Sequence, residues 1–206
     1  MVNIQNISVS YKVKEPLHNF SLFLQPGEKV VLTGPSGSGK SSLLNAIAGF
    51  VIPKQGTIIV DGEVMSPVTI PSIRQKMAYL PQEINIDLES GLDLLMYTTS
   101  FNANRHLAPT QRQVESLLSD LDLTSDLLQN KLSEMSLGQR QRLALASVLL
   151  LRRPLLLLDE PSSSLDGGCT HKVIDLVLGL ENTTVISVSH DDRWIASFNR
   201  KIEINT

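Results

Sequence analysis

Short runs of apolar residues recur near both ends of the chain. Residues 2–10 alternate apolar and polar side chains with a period near two, which is typical of a strand with one buried face. The Asp61-Gly62 pair is typical of a hairpin turn. Similar short runs, several bounded by Pro or Gly, predict further strands at residues 20–24, 29–33, 57–60, 77–80, 155–158, 184–188 and 201–204.

Two other parts of the chain carry apolar residues at helical spacing. A short helix is predicted at residues 41–49, and residues 84–150 change to helical character. Within that stretch Thr110 can cap one helix, and Ser136 can cap a longer one that runs to about residue 151. Strands followed by helices and then by strands again predict a single α/β domain interrupted by a helical subdomain.

Composition excludes several classes of protein. The chain has 206 residues, and its 18 basic and 21 acidic residues give a formal charge of −3, so no basic surface for nucleic acid is expected. With 42% hydrophobic and 19% charged residues the chain is not disordered as a whole. Cys169 is the single cysteine, and no apolar run approaches the length of a membrane span. We therefore expect a soluble protein of a reducing compartment.

The glycine-rich segment after the predicted strand at 29–33 matches the pattern G-x-x-x-x-G-K-[ST]. Glycines let backbone N–H groups turn inward around a phosphate, and the N-terminus of the next helix adds positive potential. Lys40 is predicted to reach the β- and γ-phosphates and Ser41 to hold Mg²⁺. The alternative is an ordinary Gly/Ser loop. The residues predicted to bind the nucleotide here are Gly34, Pro35, Ser36, Gly37, Ser38, Gly39, Lys40, Ser41 and Ser42.

Two carboxylates follow the run of four leucines at residues 155–158. An uninterrupted apolar run predicts a strand buried on both faces of a parallel sheet. Asp159 at its carboxyl end is predicted to help hold Mg²⁺ beside Ser41. Glu160 is predicted to accept a proton from the attacking water. Taken alone, such a pair is usually a solvated turn; the phosphate loop favours the catalytic interpretation.

Residues 135–142, MSLGQRQR, lie shortly before that acidic pair. With this segment the chain resembles the ATP-binding cassette (ABC) ATPases, whose Leu-Ser-Gly-Gly-Gln signature opens a helix. Ser136, Gly138 and Gln139 match the signature, whereas Leu137 stands where the first glycine is usual. The resemblance implies a P-loop α/β fold with a mixed central sheet, an N-terminal antiparallel β region and an inserted helical subdomain. Residues 1–83 and 151–206 would form the nucleotide-binding core, and residues from about 84 to 150 the subdomain.

Four more elements of that family occur in the expected order. Tyr11 matches the aromatic residue that stacks on adenine, and Gln82 matches the glutamine that reaches Mg²⁺ and the attacking water. Asp166 belongs to a segment that resembles the D-loop, and His190 matches the histidine that contacts the γ-phosphate. The resemblance thus implies ATP and Mg²⁺ as ligands, with Glu160, His190 and Gln82 as the catalytic residues.

The resemblance also implies partners. Residues 34–42 of one subunit would face residues 136–139 of another, in a homodimer or with a related ATPase subunit. A separate integral-membrane subunit would contact residues 83–101, which places the protein in the cytoplasm, peripheral to the membrane. Two alternatives are a soluble ABC ATPase that acts in DNA repair or translation, and a different P-loop enzyme such as a small-molecule kinase.

Overall fold

The described part of the chain contains nine strands and seven α-helices. The computed structural model describes residues 1–11 and 14–204, without the side chains of residues 10, 11 and 14–16. The strands are β1 (Val2–Tyr11), β2 (Lys14–Leu24), β3 (Lys29–Thr33), β4 (Gln55–Val60), β5 (Glu63–Val64), β6 (Met77–Leu80), β7 (Leu155–Asp159), β8 (Thr184–Val188) and β9 (Arg200–Glu203). The helices are α1 (Lys40–Ile47), α2 (Ile70–Arg74), α3 (Gly91–Ser100), α4 (Gln111–Asp120), α5 (Leu137–Leu149), α6 (Gly167–Gly179) and α7 (Asp192–Ser197). Short 3₁₀ turns occupy Asn102–Leu107, Ser125–Gln129 and Leu132–Glu134.

The strands form two sheets. An antiparallel sheet has the order β2-β1-β4-β5, and a parallel sheet has the order β6-β7-β8-β3-β9. All five residues of β7 are buried, as the run of leucines predicts for a strand covered on both faces. The predicted α/β fold with an N-terminal antiparallel region is therefore confirmed.

The parallel sheet separates two hydrophobic cores. Because side chains of a strand alternate between faces, Leu155 and Leu157 join a core with α1 and the antiparallel sheet. Leu156 and Leu158 join the other core, which contains leucines of α3, α4 and α5. The helical segment thus packs on one face of the sheet.

The two predicted capping residues, Thr110 and Ser136, stand at the starts of α4 and α5. Ser136 Oγ accepts a hydrogen bond from the Gln139 backbone N–H at 3.2 Å, and Gln139 Oε1 accepts one from the Ser136 N–H at 2.9 Å. Thr110 caps α4 in the same way, through Gln113. Both of these predicted helix starts are confirmed.

The structure differs from the predicted helical character at residues 84–89, which form no helix. Their side chains alternate between half-buried and exposed, which is the pattern of an extended segment. Helix α3 begins only after Ser90, whose side chain caps it through Asp93. Among residues 1–11 and 14–204, no helix combines the length and the apolar character needed to span a bilayer.

Candidate functional site

The glycine-rich loop connects β3 to α1 at the carboxyl edge of the parallel sheet. Gly34, Gly37 and Gly39 have φ of +134°, +83° and +99°, a region that favours glycine. Lys40 is 6% exposed, and its Nζ donates hydrogen bonds to the carbonyl oxygens of Gly34 and Pro35, each at 2.9 Å. Burial lowers the pKa of Lys40, while the carboxylates of Glu160 and Asp159 act in the opposite direction. The ammonium group is thus held across the loop.

A hydrogen bond connects the start of α1 to the end of β7. Ser41 Oγ donates to Asp159 Oδ1 at 3.1 Å, across 118 residues of sequence. Asp159 is 3% exposed; burial raises the pKa of its carboxyl group, and the Ser41 hydrogen bond and the Lys40 charge partly offset that rise. A hydroxyl and a carboxylate are hard oxygen ligands that suit Mg²⁺. The structure therefore brings two of the three predicted metal ligands, Ser41 and Asp159, into contact.

Glu160 continues from β7 into the same site. It has a φ of +52° and is 8% exposed. Its Oε2 accepts a hydrogen bond from the His190 backbone N–H at 3.2 Å, and its Oε1 lies 3.7 Å from His190 Nε2. Burial raises the pKa of Glu160, and the contacts with His190 act against that rise. A carboxylate with a raised pKa is a better proton acceptor.

Between these groups lies an open cavity of about 280 Å³. Gln82, which follows β6, lines it together with Glu160 and His190. Residues from four separate parts of the sequence therefore meet at one edge of the parallel sheet. The cavity is lined by Ser36, Gly37, Gly39, Lys40, Ser41, Ser42, Gln82, Glu160, Val188 and His190.

The other predicted site residues lie elsewhere. The residues of the signature segment, Ser136, Gly138 and Gln139, do not line this cavity. They open α5, where a Cβ on Gly138 would come within 2.8 Å of the Ser164 carbonyl oxygen. Asp166 caps α6 by accepting a hydrogen bond from the Cys169 N–H at 2.9 Å. Tyr11 ends β1, and its side chain lies outside the described part of the chain.

Sequence reasoning missed a buried pair of hydroxyl groups behind the acidic residues. Ser162 and Ser189 are 3% and 1% exposed, and their Oγ atoms lie 3.4 Å apart. Ser189 Oγ also accepts a hydrogen bond from the Asp191 N–H at 3.1 Å. The pair connects the loop after β7 to the loop after β8. The only hint of this pair in the sequence is that a serine follows each of the apolar strands β7 and β8.

A glycine-rich loop between a parallel strand and a helix, with an aspartate at the end of another strand of the same sheet, defines the P-loop class of nucleotide-binding folds. The profile described as "ABC transporter" matches residues 17–163. The chain is 37% identical over 183 residues to the thiamine import ATP-binding protein ThiQ of Salmonella paratyphi A, covering 83% of this chain and 73% of ThiQ. It therefore belongs to the ABC transporter family.

Two further relatives are a much longer transporter and a cassette of similar length. It is 33% identical to the mitochondrial iron-sulfur clusters transporter ATM1 of Candida albicans, covering 99% of this chain and 28% of that relative's length. The dimeric ATP-binding cassette MJ0796, solved in a post-hydrolysis state with ADP and Pi, superposes with a TM-score of 0.87. MJ0796 and this chain are 27% identical, and the superposition covers 100% of this chain and 94% of MJ0796. The fold is that of an ATP-binding cassette.

Proposed function

We propose that the chain is the ATP-binding and ATP-hydrolysing subunit of an ABC transporter and drives transport through a separate membrane subunit. The observation that carries the proposal is the contact of Ser41 Oγ with Asp159 Oδ1 at 3.1 Å, beside the buried Glu160 and Lys40. The name of ThiQ, an import ATP-binding protein, supports a role in transport. That name associates ThiQ with thiamine import, and we propose no cargo for the present chain.

The groups around the cavity suit ATP and Mg²⁺. Ser38 Oγ is buried without a hydrogen-bond partner among the described residues, and a phosphate oxygen would supply one. Ser41 and Asp159, with Gln82, would hold Mg²⁺, which when bound neutralises phosphate charge. The loop N–H groups and Lys40 would bind the phosphates.

The residues that follow β7 and β8 are proposed to carry out the proton transfer. Glu160 takes a proton from the attacking water, because its buried carboxylate faces the cavity and has a raised pKa. His190 holds Glu160 through its backbone N–H and presents its half-exposed imidazole to the terminal phosphate. Tyr11 is proposed to stack on adenine.

A second subunit completes the site. Ser136, Gly138, Gln139 and Asp166 lie outside the cavity of their own chain, and a head-to-tail arrangement would bring them to the partner's phosphate loop. The dimeric state of the structural relative MJ0796 supports this arrangement. We propose a homodimer or a pair with a related subunit, with residues from about 84 to 150 acting as the helical subdomain.

Residues 83–101 are proposed to contact the membrane subunit, which would place the protein at the cytoplasmic face of the membrane. Leu92 and Phe101, at either end of α3, are 43% and 49% exposed and would offer apolar surface to that subunit. To test the transport role, the chain is co-expressed with a membrane protein encoded beside its gene. We expect the two to copurify and ATP hydrolysis to respond to the partner. Full activity in isolation, with no copurifying membrane protein, would contradict the role.

The signature segment provides a prediction about Leu137. Its side chain is 59% exposed, so it can stay clear of a ligand bound by backbone N–H groups at the start of α5. We expect Leu137→Gly to change the steady-state hydrolysis rate by no more than about threefold. Ser136→Arg should block the closed dimer by bulk and abolish hydrolysis. A large gain in hydrolysis rate with Leu137→Gly would instead indicate that Leu137 weakens the signature segment. The chain would then need a heterodimer whose other site carries most of the hydrolysis.

The raised pKa of Glu160 predicts the pH profile. Only the deprotonated carboxylate accepts a proton, so kcat should fall as pH decreases toward the pKa of Glu160. Because burial places that pKa above the ordinary value of 4.5, the decline should begin at a higher pH than an exposed glutamate would give. The measurement is kcat at saturating ATP and Mg²⁺ across a pH series in which the protein stays folded. A rate that stays constant down to the ordinary glutamate pKa would contradict the assignment.

A further inference from the structure

A second cavity, of about 400 Å³, separates the start of α5 from the segment that follows β6. Its lining includes Gln82, Ile84 and Ile86 of that segment and Arg140 and Gln141 of α5. This cavity shares Gln82 with the proposed nucleotide site. A change in the shape of this second cavity can therefore move Gln82, which also lines the nucleotide site.

The α5 side of this cavity carries two hydrogen-bond donors without acceptors. Gln141 is 3% exposed, and its Nε2 has no hydrogen-bond partner among the described residues. The same holds for the buried Nε of Arg140. Buried polar groups in native proteins are nearly always paired, because an unpaired donor has lost its water without compensation. By contrast, the equally buried Ser147 in the same helix donates to Thr98 Oγ1 at 3.1 Å.

The segment of residues 82–88 contributes to the lining of the same cavity. No backbone hydrogen bond connects residues 82–88 to any other described residue. Within the segment, Asn85 Nδ2 donates a hydrogen bond to Glu83 Oε2 at 3.0 Å. Ile84 and Leu88 pack against the helical core, so side-chain contacts hold the segment in place. Its carbonyl groups accept no backbone hydrogen bond from the rest of the described chain.

We propose that Gln141 is a positioning residue that docks residues 82–88 onto α5 when nucleotide binds. Docking pairs the amide of Gln141 with the backbone of this segment, closes the cavity and holds Gln82 toward Ser41. Arg140 Nε provides a second donor on the same face of the cavity. This inference rests on the proposed ATPase function, because the docked state matters only where Gln82 acts on bound nucleotide.

Kinetics and stability together test this role in the full chain. Gln141→Met keeps the length of the side chain and removes the donor. We expect kcat to fall about tenfold or more, because small misplacements of catalytic groups cost that much, while KM for ATP changes less than about twofold. The thermal midpoint should stay the same or rise, since an unpaired buried donor is removed. Gln141→Asn, which retains the amide, should keep more of kcat than Gln141→Met.

Ser147→Ala is the matched control, because it removes a buried but paired polar group from the same helix. It should lower the thermal midpoint and leave kcat within about twofold, since Ser147 lies outside both cavities. If Gln141→Met keeps its kcat, or loses kcat and the thermal midpoint together, the positioning role is overturned. A wild-type chain that hydrolyses no ATP, either alone or with the copurifying membrane protein, would overturn the proposed function instead.

Hydrogen exchange of the wild-type chain provides a test that needs no variant. The probe is AMP-PNP with Mg²⁺, a nucleotide that is not hydrolysed. We expect exchange of the backbone N–H groups of residues 82–88 to slow at least about threefold when AMP-PNP binds, because docking orders them. Unchanged exchange there, with slowed exchange in the phosphate loop, would overturn the docking and leave the nucleotide site intact.

Discussion

Replacing Glu160 by Gln should lower kcat for ATP hydrolysis by about 10²–10⁴-fold, the usual range for loss of a general base. The side chain is 8% exposed, and an amide of the same shape retains an oxygen to accept the His190 N–H, now 3.2 Å from Oε2. The substitution therefore removes the basic carboxylate while the site keeps its shape. ATP binding should survive, and the rate is measured at saturating ATP and Mg²⁺.

The same variant tests the proposed dimer. With chemistry blocked, ATP should hold two chains together, and sedimentation with ATP and Mg²⁺ should show a dimer that disappears without nucleotide. Glu181→Gln is the matched control, because Glu181 is exposed and does not line the nucleotide cavity. It should hydrolyse ATP at the wild-type rate. A Glu160→Gln chain that hydrolyses ATP normally, or stays strictly monomeric, would contradict the mechanism.

Lys40→Ala should abolish ATP binding. Its ammonium group is held over the phosphate loop by the Gly34 and Pro35 carbonyl oxygens, at 2.9 Å each. A charge-assisted contact to phosphate is about twice as strong as a neutral hydrogen bond, and the anionic ligand remains when the cation is lost. We expect Kd for ATP to rise at least about 100-fold, measured by equilibrium binding.

The control for this loss is Lys54→Ala, which removes an exposed lysine outside the nucleotide cavity. That variant should bind ATP with the wild-type Kd. Circular dichroism and the thermal midpoint must show that Lys40→Ala is folded. Nearly normal ATP affinity in a folded Lys40→Ala chain would exclude the phosphate-loop assignment.

Local pattern was enough to predict most of the strands. Strands β3, β6 and β8 have the bounds predicted from their short apolar runs, and Ser136 and Thr110 cap α5 and α4. Capping and alternation depend on neighbours within a few residues, so they can be read without the fold. Helices α2 and α7, of five and six residues, were not predicted because they are too short to show a helical period.

The sequence by itself determined which chemical groups are present: a loop able to bind phosphate, two carboxylates after a buried strand, and a capped signature helix. Only the tertiary structure decided which of them meet. Ser41 reaches Asp159 across 118 residues because β3 and β7 both flank β8 in the parallel sheet, and their carboxyl ends therefore lie at the same edge. The raised pKa of Glu160 and the unpaired amide of Gln141 depend on burial by distant segments, which local sequence patterns do not specify.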